Sequence, residues 1–175
     1  MIDKPSPRLP LNSAEELFEK LKWEEARLCD GWSVYDSFNF VVTAYHLYYD
    51  WIKCGKAATS AQSQRANSLK PDALDLFQAV ADMANGSKHF ILDHAGAKNR
   101  QVVTEVTESI CAGWDSYCFG NMVHIEYGVH FLSISELSAL VMKYLEWIIE
   151  GGSDEPPTEL SDALAAMEMK KDIER

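Results

Sequence analysis

No stretch of this sequence is apolar over the ~18 residues that a membrane-crossing helix needs. Its N-terminal MIDKPSPRLP has no apolar core of the kind an export signal carries. The expectation is a cytoplasmic protein with no membrane partner. Cysteine is scarce, limited to Cys29, Cys54, Cys111 and Cys118, and no two form the C-x2-C pair of a zinc ribbon. In a reducing compartment these read as free thiols, mostly buried as small hydrophobes. A Gly-rich phosphate loop, a G-x-S-x-G turn and paired carboxylates at a catalytic spacing are all missing. No cofactor and no metal are therefore expected.

Positive charge is also in deficit. Lys and Arg number 16 against 27 Asp and Glu, for a net charge of −11, so long-range attraction to a phosphate backbone is excluded for the chain as a whole. The shortage is uneven. Residues 53–100 carry seven basic and four acidic side chains, whereas residues 101–175 carry four and fourteen. Between Asp50 and Asp72 there is no acid, and Lys53, Lys56, Arg65 and Lys70 all fall there. Any surface that meets a polyanion belongs to this middle third, although the stretch reads more simply as a solvated polar connection.

What is present is a mainly α pattern in one domain. Residues 1–12 are Pro-rich and read as an extended arm. Ser13 with Glu16 forms a capping signature for a helix to about Cys29, and Ser33 with Asp36 repeats it for a helix to about Lys53, closed by Gly55. Residues 56–70 are small and polar, a long connection or a weak helix. Pro71 opens a third helix reaching about Leu92. The Val/Thr-rich run 101–109 and the period-two alternation over 122–133 predict a β-hairpin with a long loop, Ile110–Asn121. Ser133 and Glu136 cap the last core helix, which carries Leu137, Leu140, Val141, Tyr144, Leu145 and Ile148 and stops at Gly151-Gly152. A bundle of about four core helices over residues 13–152, with the hairpin (about 101–133) before the last helix, is the expected architecture. Residues 153–175 form a separate, mobile amphipathic segment.

Two helices carry polar stripes. The second is apolar almost all round, except that Asn39, Thr43, His46 and Asp50 fall within about 60° of arc. His46 and Asp50, four apart, are within touching distance. On the third, Asp75, Gln78, Asp82, Asn85, His89 and Asp93 lie within about 80°. The two stripes either turn toward a shared cleft or are solvent faces. Gly86 and Ser87 in mid-helix cost about 1 kcal/mol for the glycine, which suggests a local bend or a close approach. Asn85, Lys88 and His89 bring together an amide, an ammonium and an imidazole, the groups that move protons and hold a phosphoryl oxygen.

The aromatic helix FNFVVTAYHLYYDWI, a polar connection and a helix ending ADMANGSKHF together resemble the HEPN superfamily over about residues 33–150. Uncharacterised bacterial members combine a similar Asp-Trp-Ile helix, an Ala-Asn-x-Ser-Lys-His-Phe helix and a late hairpin. The resemblance implies a helical bundle and a homodimer. It also implies, for active members, a metal-independent ribonuclease joining two copies of an Arg-x4–6-His motif, often in toxin or phage-defence systems. The nearest match runs from Lys88 to His94, with Lys88 in the place of the family's Arg. Lys holds phosphate as a point charge and lacks the guanidinium fork. His89 and His94 stay open as the functional imidazole.

His124, Glu126 and His130 share one strand face, but six residues of strand separate the two histidines by about 20 Å, too far for one ion. Cys111 and Cys118, beside Trp114, Tyr117 and Phe119, read as loop packing or as a protein contact. Two functions follow. In one, a HEPN-like ribonuclease or RNA-binding effector acts through Asn85, Lys88, His89 and His94, with Asn39, His46, Asp50, Lys53, Lys56, Arg65 and Lys70 guiding RNA. In the other, an acidic homodimeric module without catalysis binds a protein partner.

Overall fold

The first element grows from the cap foreseen at Ser13. Ser13 Oγ accepts from Glu16 N at 3.3 Å, the Glu16 carboxylate accepts from Asn12 N at 2.6 Å, and α1 runs over Ala14–Gly31. In the computed structural model of the chain, described for residues 10–31, 33–55, 57–89, 101–111, 120–127, 130–153 and 155–157, the other helices are α2 (Val34–Tyr45), α3 (Ser60–Asn67), α4 (Pro71–His89) and α5 (Ile134–Glu150). The arm before residue 10, the C-terminal segment after 157 and the hairpin loop 112–119 lie outside the described residues.

Helix α2 is started by Ser33, whose Oγ accepts from Asp36 N at 3.0 Å. Arg27 of α1 donates to the Asp36 carboxylate at 2.8 Å, so one aspartate serves the cap and ties the two helices together. Past Tyr45 the helix continues as a π-helix, His46–Lys53, and Cys54 N reaches back five residues to Tyr49 O at 3.2 Å. Gly55, at φ +66°, then turns the chain in a conformation that favours glycine. Helix α2 was expected to be buried nearly all round. Its first turns are open instead: Tyr35 is 78% exposed and Val34 55%.

The polar stretch 56–70 contains a true helix. Thr59 and Gln62 form a reciprocal capping box, Gln62 N to Thr59 Oγ1 at 3.3 Å and Thr59 N to Gln62 Oε1 at 2.8 Å, and this starts α3. Arg65 on α3 closes the far end of α5. Its Nε donates to Ile148 O at 2.8 Å and its Nη2 to Ile149 O at 3.2 Å, satisfying carbonyls that a helix end leaves without partners. Gly151, at φ +83°, stops α5 directly beneath that guanidinium.

Strands β1 (Val103–Cys111), β2 (Gly120–Tyr127) and β3 (His130–Ser133) form one antiparallel sheet in the order β1-β2-β3. The alternation over 122–133, read from sequence as one strand of a hairpin, is therefore two strands. Pairing of Tyr127 with His130 reverses the phase, so Leu132 is buried and Phe131 is 50% exposed. The sheet lays Val123, Ile125, Tyr127 and Leu132 against a core continuous with Phe18 and Leu21 of α1, Phe40 of α2, Phe77 of α4 and Leu145 of α5. Tyr48 of the π-helix stacks on Phe77, centroids 3.8 Å apart and 8° from parallel.

Two cysteines correct the expectation of burial. Cys29 lies on the polar side of α1 and Cys54 in the turn after the π-helix, and both are exposed. Among the described residues no helix is long and apolar enough to cross a membrane.

The Arg65 contact is testable. Arg65→Ala leaves two carbonyls without their charged donor and should lower unfolding free energy by about 1.5–3 kcal/mol in urea denaturation. Arg65→Lys should recover only part of that loss, because an ammonium cannot fork between Ile148 O and Ile149 O.

Candidate functional site

Helix α4 runs without interruption through Asn85-Gly86-Ser87. Among the described residues, a Cβ built on Gly86 meets no atom within 4 Å. Gly86 and Ser87 instead border a cleft of about 430 Å³ between α2, α4 and the sheet, walled by Val34, Phe38, Val41, Met83, Val106 and Val123. Asn85 beside them is half-buried. Lys88 and His89 occupy the last positions of α4, and helical spacing puts position 89 on the face that also carries Asp82 and Gly86. His94 lies outside the described residues.

Asp82, read from sequence only as part of a polar stripe, has a structural task. Buried at the base of the cleft, its Oδ2 accepts from Val102 N at 2.6 Å and Val103 N at 3.1 Å, while Oδ1 accepts from Gln78 Nε2 at 2.8 Å. The α4 stripe thus holds the start of β1. No local signal marks this, because the donors lie 20 and 21 residues further on.

The α2 stripe turns another way. Thr43 is buried against α1, where its hydroxyl accepts from Lys20 Nζ at 2.6 Å, and the same ammonium donates to Glu24 at 2.5 Å. Asn39 is exposed on α2. His46 and Asp50 meet as their spacing predicted, Nδ1 to Oδ2 at 2.6 Å, with both side chains partly exposed. A carboxylate on Nδ1 orients an imidazole for proton transfer at Nε2, so this pair has the geometry of an oriented base. One stripe therefore leads to α1 and the other to β1, and they do not share a cleft.

The expected basic track is divided as well. Lys53 donates to Asn67 Oδ1 at 2.6 Å, Arg65 is committed to the α5 carbonyls, Lys70 is exposed before α4, and Lys56 lies outside the described residues. Among the described residues lining the cleft there is no Lys or Arg, and its charged members are Asp82 and Glu105. On the outer face of the sheet His124 stacks on Phe131, ring centroids 4.8 Å apart, and Glu126 sits directly opposite Glu105.

Burial pushes the Cys29 thiol up, and the Glu25 carboxylate 3.6 Å away pushes it further. Burial also raises Tyr48 and Tyr45, the latter with help from Asp50 and Cys54. Tyr127 is pushed up to about 12, first by burial and then by Asp75 and Asp72 on the opening turns of α4.

Comparison with protein families, with curated proteins and with solved structures finds no match for this chain.

Two outcomes follow. Gly86→Ala, with open space for the new methyl group and a helical backbone, should stabilise the fold by about 0.5–1 kcal/mol in thermal or urea unfolding. The Tyr127 hydroxyl ionises near 10 in the unfolded chain and at about 12 in the fold. The stability this confers is complete below pH 10 and is lost as pH climbs from 10 to 12. Urea midpoints measured across that window should fall, with a shallower slope in Tyr127→Phe.

Proposed function

We propose that this chain is a HEPN-like interaction module, acidic and homodimeric, without catalysis of its own and serving a defence or toxin–antitoxin type system. The observation that carries this reading is the dispersal of the cations. Position 89 and Lys70 stand at opposite ends of the 19-residue α4, about 27 Å apart along the helix, while Arg65 spends its donors on the α5 carbonyls and Lys53 donates to Asn67 at the surface. The described cations therefore do not gather into one basic patch around position 89. The surface offered instead is aromatic. Trp23 is 62% exposed on α1, with the Arg27 guanidinium 5.1 Å from its ring, and Tyr35 is 78% exposed at the start of α2. Large exposed aromatics backed by an arginine are the usual anchors of protein interfaces.

The second reading, a metal-independent endoribonuclease, is favoured by one observation: position 89 shares a helix face with Asp82 and Gly86, which line the cleft, next to the half-buried Asn85. In that reading His89 moves protons and Lys88 and Asn85 hold the phosphoryl group.

One set of measurements separates them. Sedimentation equilibrium should give a dimer for the wild type and a monomer for the Trp23→Glu/Tyr35→Glu double variant. Transfer RNA and single-stranded RNA incubated with the protein in EDTA should stay intact. Cleavage by the wild type that disappears in His89→Ala and Lys88→Ala would overturn the non-catalytic reading, and a wild type that sediments as a monomer would remove the dimer.

A further inference from the structure

Among the described residues only β2 hydrogen-bonds along β1, which leaves the other side of β1 without a described strand partner. It is nine residues long and contains no Lys, Arg or Pro, and its pairing with β2 is interrupted by a bulge between Val103 and Glu105. The two faces of β1 beside this edge are each incomplete. On the inward face, Val106 pairs with the fully buried Ile125 yet is itself 52% exposed, because the space beneath it is the cleft walled by Phe38, Val41 and Met83. On the outward face, Glu105 is directly opposite Glu126, a like-charge cross-strand pair that costs stability.

A strand laid against β1 would answer both deficits at once, since its side chains alternate between the faces. We propose that the open edge of β1 takes an extended basic segment of a partner protein. Alternate apolar side chains of that segment enter the cleft, and alternate Lys or Arg side chains stand beside Glu105. Main-chain pairing supplies affinity, while the cleft and the carboxylates supply selection, the mode of strand addition. A second copy of β1 is a poor occupant, because it brings its own glutamates to the edge and no cation. The net charge of −11 draws a basic partner from a distance. This inference rests on the reading of the chain as an interaction module and names its partner's chemistry.

The probes are two labelled peptides, one alternating lysine with valine and one alternating glutamate with valine, titrated with the full chain in fluorescence anisotropy. The lysine–valine peptide should bind and the glutamate–valine peptide should not. Glu105→Lys should weaken binding about fivefold by turning an attractive cross-strand pair into a repulsive one. Phe38→Asp, a change at a side chain already 42% exposed, should also weaken it. In hydrogen exchange the bound peptide should protect the amides of residues 104–107. Equal binding of the two peptides, or binding indifferent to both substitutions, or no protection at residues 104–107, would overturn the proposal, provided circular dichroism shows the variants folded. A wild type that dimerises but does not bind the lysine–valine peptide removes this inference alone. A Trp23→Glu/Tyr35→Glu monomer that still binds it shows that the edge and the dimer contact are separate surfaces. Loss of self-association in Glu105→Lys would make a second copy the occupant and overturn the basic-partner assignment.

Discussion

The geometry of the cleft hangs on one carboxylate. After α4 the chain returns at Gln101, and Asp82 takes the amides of both Val102 and Val103 where β1 begins. An anion accepting two backbone donors in a buried place is worth more than a neutral contact, and removing it would leave both amides without a partner. With β1 pinned to α4 at this end, β2 follows by pairing and lays Val123, Ile125 and Tyr127 on the core. The strand then runs clear of α4, and the gap that opens beneath Val106 is a consequence of where the pin sits.

What could be read from the amino acids alone was whatever depended on near neighbours. The cap at Ser33, the reciprocal box of Ser133 with Glu136, the stop at Gly151, the buried stripe of α5 and the His46–Asp50 pair each involve residues within about one or two turns. Contacts that close across the chain were not readable. Arg65 reaches Ile148 across 83 positions, and a basic residue in a polar stretch looks the same whether it meets RNA or a helix end. Asp82 and Thr43 were placed correctly on their stripes, but what each stripe faces depends on how the helices rotate in the bundle. The split between β2 and β3 was hidden for a different reason. A tight reversal preserves the look of alternation while exchanging the faces, so Phe131 and Leu132 trade places.

The charge distribution acquires a meaning from the same contacts. Lys20 is held by Glu24 and Thr43, Lys22 by Glu19 and Glu150, Arg27 by Asp36, and Arg65 by carbonyls. Cations that join helices to one another contribute little outward field, whereas the surplus of carboxylates does. The local excess of Lys and Arg in the middle of the chain therefore does not translate into a basic surface of equal size. This separates composition from recognition: residues 53–70 are basic as sequence, yet Arg65, one of the four cations there, is bound to the end of α5.

The two edges of the sheet differ in a way that follows from length and sequence together. β3 has four residues and passes at once into α5 through the Ser133 capping box, so there is little free edge for anything to pair with. β1 has nine, and its charges are all of one sign. An edge carrying only glutamate excludes acidic strands, including its own copy, and admits basic ones. Paired with Glu126 across the ladder, Glu105 makes the unoccupied edge less favourable than an occupied one. The edge thus combines exclusion of the wrong strand with a vacancy for the right one, and both come from the same carboxylates.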